Sequence, residues 1–220
     1  MVRLLVISCI AGLAAIGGML ARRIYVETRP PSGHAVFHVG SHRLTVPRAM
    51  VRNLDLRDGG AVNRLDLVLN WPDLSGAAGN LGGKTAPALV FLSLEDSSAL
   101  AKSRDDIDPA ERPVELYARF LEADAVTGPA GLVQRRFSRG SPYEGEDLFM
   151  ATPDERQFSA RCPRGAAIPQ PAEQCLWQTR QAGLELHVRF APALIQDWQR
   201  LTSAIRALAS VLRTQPPARP

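Results

Sequence analysis

Residues 175–190 read CLWQTRQAGLELHVRF. From Leu184 the apolar side chains fall on alternate positions, Leu184, Leu186, Val188 and Phe190. That two-residue period belongs to a strand with one buried face. Residues 175–180 form a second extended run, and Gln181, Ala182 and Gly183 between the two make the turn of a hairpin. Residues 64–71 (RLDLVLNW) alternate in the same way, with Leu65, Leu67, Leu69 and Trp71 on one face and Asp66, Val68 and Asn70 on a wet one. Residues 88–94 (ALVFLSL) are more continuously apolar and suit a central strand. Residues 36–39 and 42–46 flank Gly40-Ser41 as another hairpin, and shorter strands are expected at 131–137, 147–151 and 157–162.

Two helices stand beside these strands. Residues 113–123 carry Val114, Tyr117, Phe120 and Leu121 at helical spacing, with Pro113 in the first turn. Residues 192–213 carry Leu194, Trp198, Leu201, Ile205, Leu208 and Leu212 in steps of three and four, with Arg213 in the last turn. That stripe is a helix interface, laid either across the protein's own sheet or against a partner helix.

Residues 4–21 hold no charge and are followed at once by Arg22 and Arg23. At about 1.5 Å per residue a helix of that length reaches roughly 27 Å, the short end of a bilayer span. A cleaved signal fits less well, because Met19 is bulky at the third position before a cut after Ala21. A lipoprotein signal at Cys9 leaves too few residues before it. The expected fold class is therefore α+β: a strand-rich soluble domain with a C-terminal amphipathic helix, preceded by one N-terminal transmembrane helix. The expected divisions are an anchor over 1–27, a linker over 28–33, a single domain over 34–213 and a disordered tail over 214–220.

The chain has 220 residues, 45% hydrophobic and 22% charged, with a net charge of +4. This is the balance of an ordinary globular domain with a mildly basic surface, suited to an anionic membrane or an acidic partner and requiring no nucleic acid. Beyond Cys9 there are only Cys162 and Cys175, an even pair in a loop rich in proline and glycine. Such a pair favours a disulfide in an oxidising compartment over two thiols in a reducing one. The expected location is the inner membrane, crossed once, with the soluble domain in the periplasm.

Motifs with chemistry are few. Residues 78–85 (AGNLGGKT) match a loose phosphate-loop pattern, but Pro87 and a strand follow where a helix must start, so no nucleotide is expected. His34, His38 and His42 lack a nearby carboxylate or thiolate to complete a metal shell, and His187 falls on an outward strand face. Glu144, Glu146 and Asp147 read as an exposed acidic turn. There is no G-x-S-x-G elbow. No catalytic, cofactor-binding or metal-ligating residue is expected. Arg48, Arg52 and Arg57, together with Arg135 and Arg136, would make an anion or partner contact if they converge.

Residues 47–74 (PRAMVRNLDLRDGGAVNRLDLVLNWPDL), 116–121 (LYARFL), 128–133 (GPAGLV), 143–149 (YEGEDLF), the two cysteines and 188–198 (VRFAPALIQDW) carry a resemblance. The chain resembles uncharacterised alphaproteobacterial proteins with a single transmembrane anchor. That resemblance implies location and topology and no activity. The function expected is non-enzymatic: a tethered binding or accessory subunit of an envelope assembly, with the inner membrane and a membrane or periplasmic protein as partners. The alternatives are an envelope hydrolase acting on cell wall or lipid, and an immunity-type inhibitor of an exported toxin.

Overall fold

A computed structural model describes residues 32–78, 88–100, 107–165 and 174–214. Strands β1 (His34–Val39) and β2 (His42–Pro47) form the hairpin expected around Gly40-Ser41. Strand β3 (Gly60–Val62) adds to β1 in parallel, giving a small sheet in the order β2-β1-β3. The large sheet contains β4 (Arg64–Asn70), β5 (Leu89–Asp96), β6 (Leu121–Thr127), β7 (Val133–Phe137), β8 (Glu146–Met150), β9 (Ser159–Pro163), β10 (Cys175–Gln181) and β11 (Leu184–Phe190). Its order is β4-β5-β11-β10-β9-β8-β7-β6. After β5 the chain crosses to the far edge and returns strand by strand, so β11 arrives antiparallel to both β10 and β5.

The alternation read from the sequence sets the two faces. Leu67, Leu92, Val188, Trp177, Ala160 and Phe149 lie in one cross-strand row. With the rows beside it, that face joins a single apolar core that also takes Phe37, Leu44 and Val46 from the small sheet. Helix α1 (Trp198–Thr214) lies over it and contributes Leu201, Ile205, Ala209 and Leu212. A side chain such as Leu201, fully buried here, contributes on the order of 2 kcal/mol by leaving water. Cys162 and Cys175 sit side by side on β9 and β10 and are joined by a buried disulfide.

Several expectations are corrected. The stripe over 113–123 is not a helix. Pro113–Tyr117 makes one wide turn and Ala118–Phe120 a tight one, after which the chain extends as β6. These two irregular turns suffice to lay Tyr117 and Phe120 against Phe137, Leu148, Met150 and Tyr143, a second cluster on the opposite face of the large sheet. Leu121 then pairs with Phe137 instead of continuing the coil. The α+β class with a transmembrane helix gives way to a strand-dominated fold of two sheets and one long helix. The span at 4–21 lies outside the described residues, and no described helix is long and apolar enough to cross a membrane. The segment after Pro192 begins as a tight helix, Pro192–Asp197, and becomes α-helical only at Trp198. Val68 is buried although it was expected on a wet face; its cross-strand neighbour Phe91 is capped by the Arg52 guanidinium.

Candidate functional site

The outer face of the large sheet carries the polar residues that the strand alternation keeps out of the core. Asp66, Ser93, His187 and Gln178 form one cross-strand row on β4, β5, β11 and β10. Ser93 donates its hydroxyl proton to Asp66 Oδ1 and accepts from Arg64 Nη2 at 2.8 Å. The Ser93 bond and a direct one from Arg64 Nε at 2.7 Å outweigh partial burial and hold the Asp66 carboxyl below its ordinary range. His187 Nε2 lies 3.1 Å from Glu185 Oε1, and its Nδ1 faces Gln178 at 3.5 Å. A serine, a histidine and two carboxylates thus share one face, but the histidine turns both nitrogens away from the serine. Among the described residues no histidine bonds the Ser93 hydroxyl, which is held by Asp66 and Arg64 instead.

Glu185 is the centre of this face. Its side chain is 1% exposed and accepts from Arg112 Nη2 at 2.9 Å, Arg180 Nη2 at 3.2 Å and His187. Burial alone would raise the carboxyl, yet the bonds from His187, Arg112 and Arg180 prevail and hold it at about 2. Arg112 comes from the crossing between β5 and β6, so this cluster pins that crossing to the sheet. Further along, the Arg161 guanidinium stacks over Tyr143 and Tyr117 and bonds Glu146 Oε2 at 2.9 Å.

A second polar junction ties the two sheets together. Asp96, at the end of β5, accepts from the Ser41 N–H at 3.0 Å and the Ser98 N–H at 2.8 Å. Hydrogen bonds from the Ser98 side chain and from these backbone groups hold its carboxyl at about 2. His42 Nε2 donates to the Gly183 carbonyl at 3.1 Å and lies 3.9 Å from Asp96 Oδ1. Beside this junction is an open cleft of about 490 Å3 lined by His42, Arg43, Gln181 and Arg213. The buried acid beside the cleft, Asp96, is already engaged by Ser41 and Ser98.

The far end of the large sheet differs. Strand β6 is its edge, and residues 122–127 are exposed. Glu122, Asp124 and Val126 line one side of a groove of about 370 Å3, with Gln134 and Arg136 of β7 on the other. Among the described residues no ion pair engages the Glu122 or Asp124 carboxylate.

The expected arginine surface does not form as one patch. Arg48 donates to the Arg57 carbonyl, and Arg57 to those of Val51 and Ala78, so both brace the loops between β2 and β4. Burial lowers the Arg57 guanidinium below its ordinary value. Arg52 stands over Phe91 at one end of the sheet, while Arg135 and Arg136 are on β7 near the other end, Arg135 bonding the Glu122 carbonyl. Of the helix stripe, Leu194, Leu201, Ile205 and Leu212 are buried in the core, and Trp198 and Leu208 pack at its rim. His38 pairs with Arg43 and His42 with Val39, so the three N-terminal histidines do not converge. His187 is a member of the Glu185 cluster and not a solvated residue. The acidic turn disperses: Glu144 caps Gly140, Glu146 meets Arg161, and Asp147 meets Arg164 and Gln134. Residues 79–85 of the phosphate-loop pattern lie outside the described residues. Sequence reading missed the Glu185 cluster; its one signal was a carboxylate, Glu185, interrupting a strand otherwise flanked by apolar residues.

Comparison with solved structures gives a relative for this architecture. An immunity protein of the Stenotrophomonas maltophilia type IV secretion system superposes with a TM-score of 0.55 at 14% identity, over 85% of this chain and 98% of the other. The likeness is one of fold. The iron-regulated outer membrane lipoprotein FrpD of Neisseria meningitidis gives a TM-score of 0.47 at 7% identity, over 86% and 98%. No protein-family model matches the chain, and no curated protein is similar to it in sequence.

Proposed function

We propose that this protein is a non-enzymatic binding protein of the immunity type, which holds a toxic partner protein inactive in an oxidising compartment. The observation that carries the reading is that three acids of the sheet, Asp66, Asp96 and Glu185, are each held below the ordinary carboxyl range by fixed internal partners. Asp66 is held by Ser93 and Arg64, Asp96 by Ser41 and Ser98, and Glu185 by Arg112, Arg180 and His187. A hydrolase needs an acid or base whose proton is free to move to substrate. Here the low carboxyls are locked as anions, and His187 is turned to Glu185. What the molecule offers instead is a rigid, charged sheet surface. The fold shared with an immunity protein supports the same reading, and the buried Cys162–Cys175 bond suits an oxidising location.

The test is to recover the chain from its native cells under non-reducing conditions and identify a stoichiometric partner. Expression of that partner alone should arrest growth, and co-expression of this chain in the same compartment should relieve the arrest. A partner without toxicity, or arrest that persists on co-expression, overturns the proposal.

A further inference from the structure

The two ends of the large sheet are finished differently. At the β4 end, Val51 and Gly76 bridge to Leu67 and Leu69, and the backbone N–H groups of Arg52 and Ala77 bond the Asp66 and Val68 carbonyls at 3.0 Å each. That edge is closed by the protein's own loops. At the β6 end no described segment does the same. Arg135 takes the Glu122 carbonyl, close to the irregularity in β6–β7 register between Leu121 and Ala125. Beyond it, residues 123–127 direct alternate N–H and C=O groups away from β7, a row that a further strand can complete.

The side chains say what kind of strand. Glu122, Asp124 and Val126 alternate along one face of β6, and Val126 is 56% exposed. Two carboxylates without an ion pair, outnumbering the Arg136 guanidinium of the same groove, oppose a second copy of this edge, because antiparallel pairing of two such strands brings like charges together. They favour a strand with cations at alternate positions, and Val126 gives it an apolar anchor. We propose that β6 is the docking edge for an extended, basic segment of the partner protein, which adds as a ninth strand with its Lys or Arg side chains over Glu122 and Asp124. This rests on the immunity-type reading and names the surface that reading would use.

The probe is a short synthetic peptide alternating lysine with valine, blocked at both ends, against the full chain with its disulfide intact. Controls are its glutamate counterpart and the lysine peptide N-methylated at alternate residues. Hydrogen exchange should show protection confined to residues 121–127 with the lysine peptide, and at least about tenfold weaker binding of both controls. The double variant Glu122→Lys, Asp124→Lys, checked by thermal melting for an unchanged fold, should reverse the charge preference. Equal binding of the acidic peptide, or protection elsewhere, overturns the docking edge. Protection of β6 that grows with protein concentration alone does so too, since it assigns the edge to a second copy. In the neutralisation assay, a double variant that relieves arrest as well as the unaltered chain removes the edge proposal and leaves the immunity reading standing. Failure of the unaltered chain removes the immunity reading.

Discussion

Asp96 Oδ2 accepts a hydrogen bond from the Ser41 backbone N–H at 3.0 Å across 55 positions of sequence. The end of β5 thereby holds the β1–β2 turn, and the turn must come close enough to be held. Gly40 makes that approach: its φ is +58°, and a Cβ there would lie 1.8 Å from Asp96 Oδ2. Gly140 has a φ of +78° but open space around it. Gly140→Ala is therefore expected to cost about 1 kcal/mol from backbone strain alone, and Gly40→Ala about 2 kcal/mol or more, since it also breaks the Asp96 contact. Urea denaturation of the two variants checks this; equal losses would show that the close approach does not matter.

Removing the carboxylate at the centre of the sheet face should be costly. Glu185→Ala takes its buried carboxylate from the half-buried Arg112, while Arg180 keeps Asp108 at 3.6 Å, and a loss of about 2 kcal/mol in denaturant stability is expected. Arg156 with Glu111 provides the contrast, because that pair is exposed at 2.6 Å on the surface. Glu111→Ala should leave stability nearly unchanged.

Acid should unfold the protein through the same carboxyls. Asp96 and Glu185 are held at about 2 in the folded chain, whereas free carboxyls titrate near 4. Depressed groups contribute stability that is complete above the unfolded value and is lost as pH falls through the folded one. The melting temperature should hold steady down to about pH 5 and then fall steadily toward about pH 2. A double Asp96→Asn, Glu185→Gln variant should start lower and fall less steeply. A variant with the same slope as the parent would assign the acid sensitivity to other groups.

The disulfide is separately accessible. Cys162 and Cys175 should stay unreactive to thiol reagents in denaturant without reductant. Their simultaneous replacement by serine is expected to cost roughly 3 kcal/mol, given the short loop they close. Two titratable thiols there in protein isolated under native, non-reducing conditions would remove the support for an oxidising compartment.

The elements legible from sequence were those whose burial alternates or repeats over several turns. Leu184 to Phe190 shows its inward face without help, and so does the helix stripe from Trp198 to Leu212. Strand β6 was not legible for the opposite reason. It lies at an edge with residues 122–127 exposed, so no alternation of apolar residues marks it, and the apolar spacing just before it mimics a helix. Strand β3, three residues held by one parallel pairing, leaves as little trace. The site was the least legible part. Glu185, Arg180 and His187 share one face of the hairpin over 175–190, but Arg112 joins them only because the β5–β6 crossing lies over the sheet, and spacing along the chain carries no sign of that.

The strand order also dictates an order of assembly. Strands β6 to β11 pair with their sequence neighbours, so each ladder closes a short stretch of chain and can form quickly. β4 and β5 likewise pair with each other, but their place beside the other six strands is offered only by β11. The N-terminal half, small sheet included, thus joins the remaining strands of the large sheet only through a long-range closure onto β11.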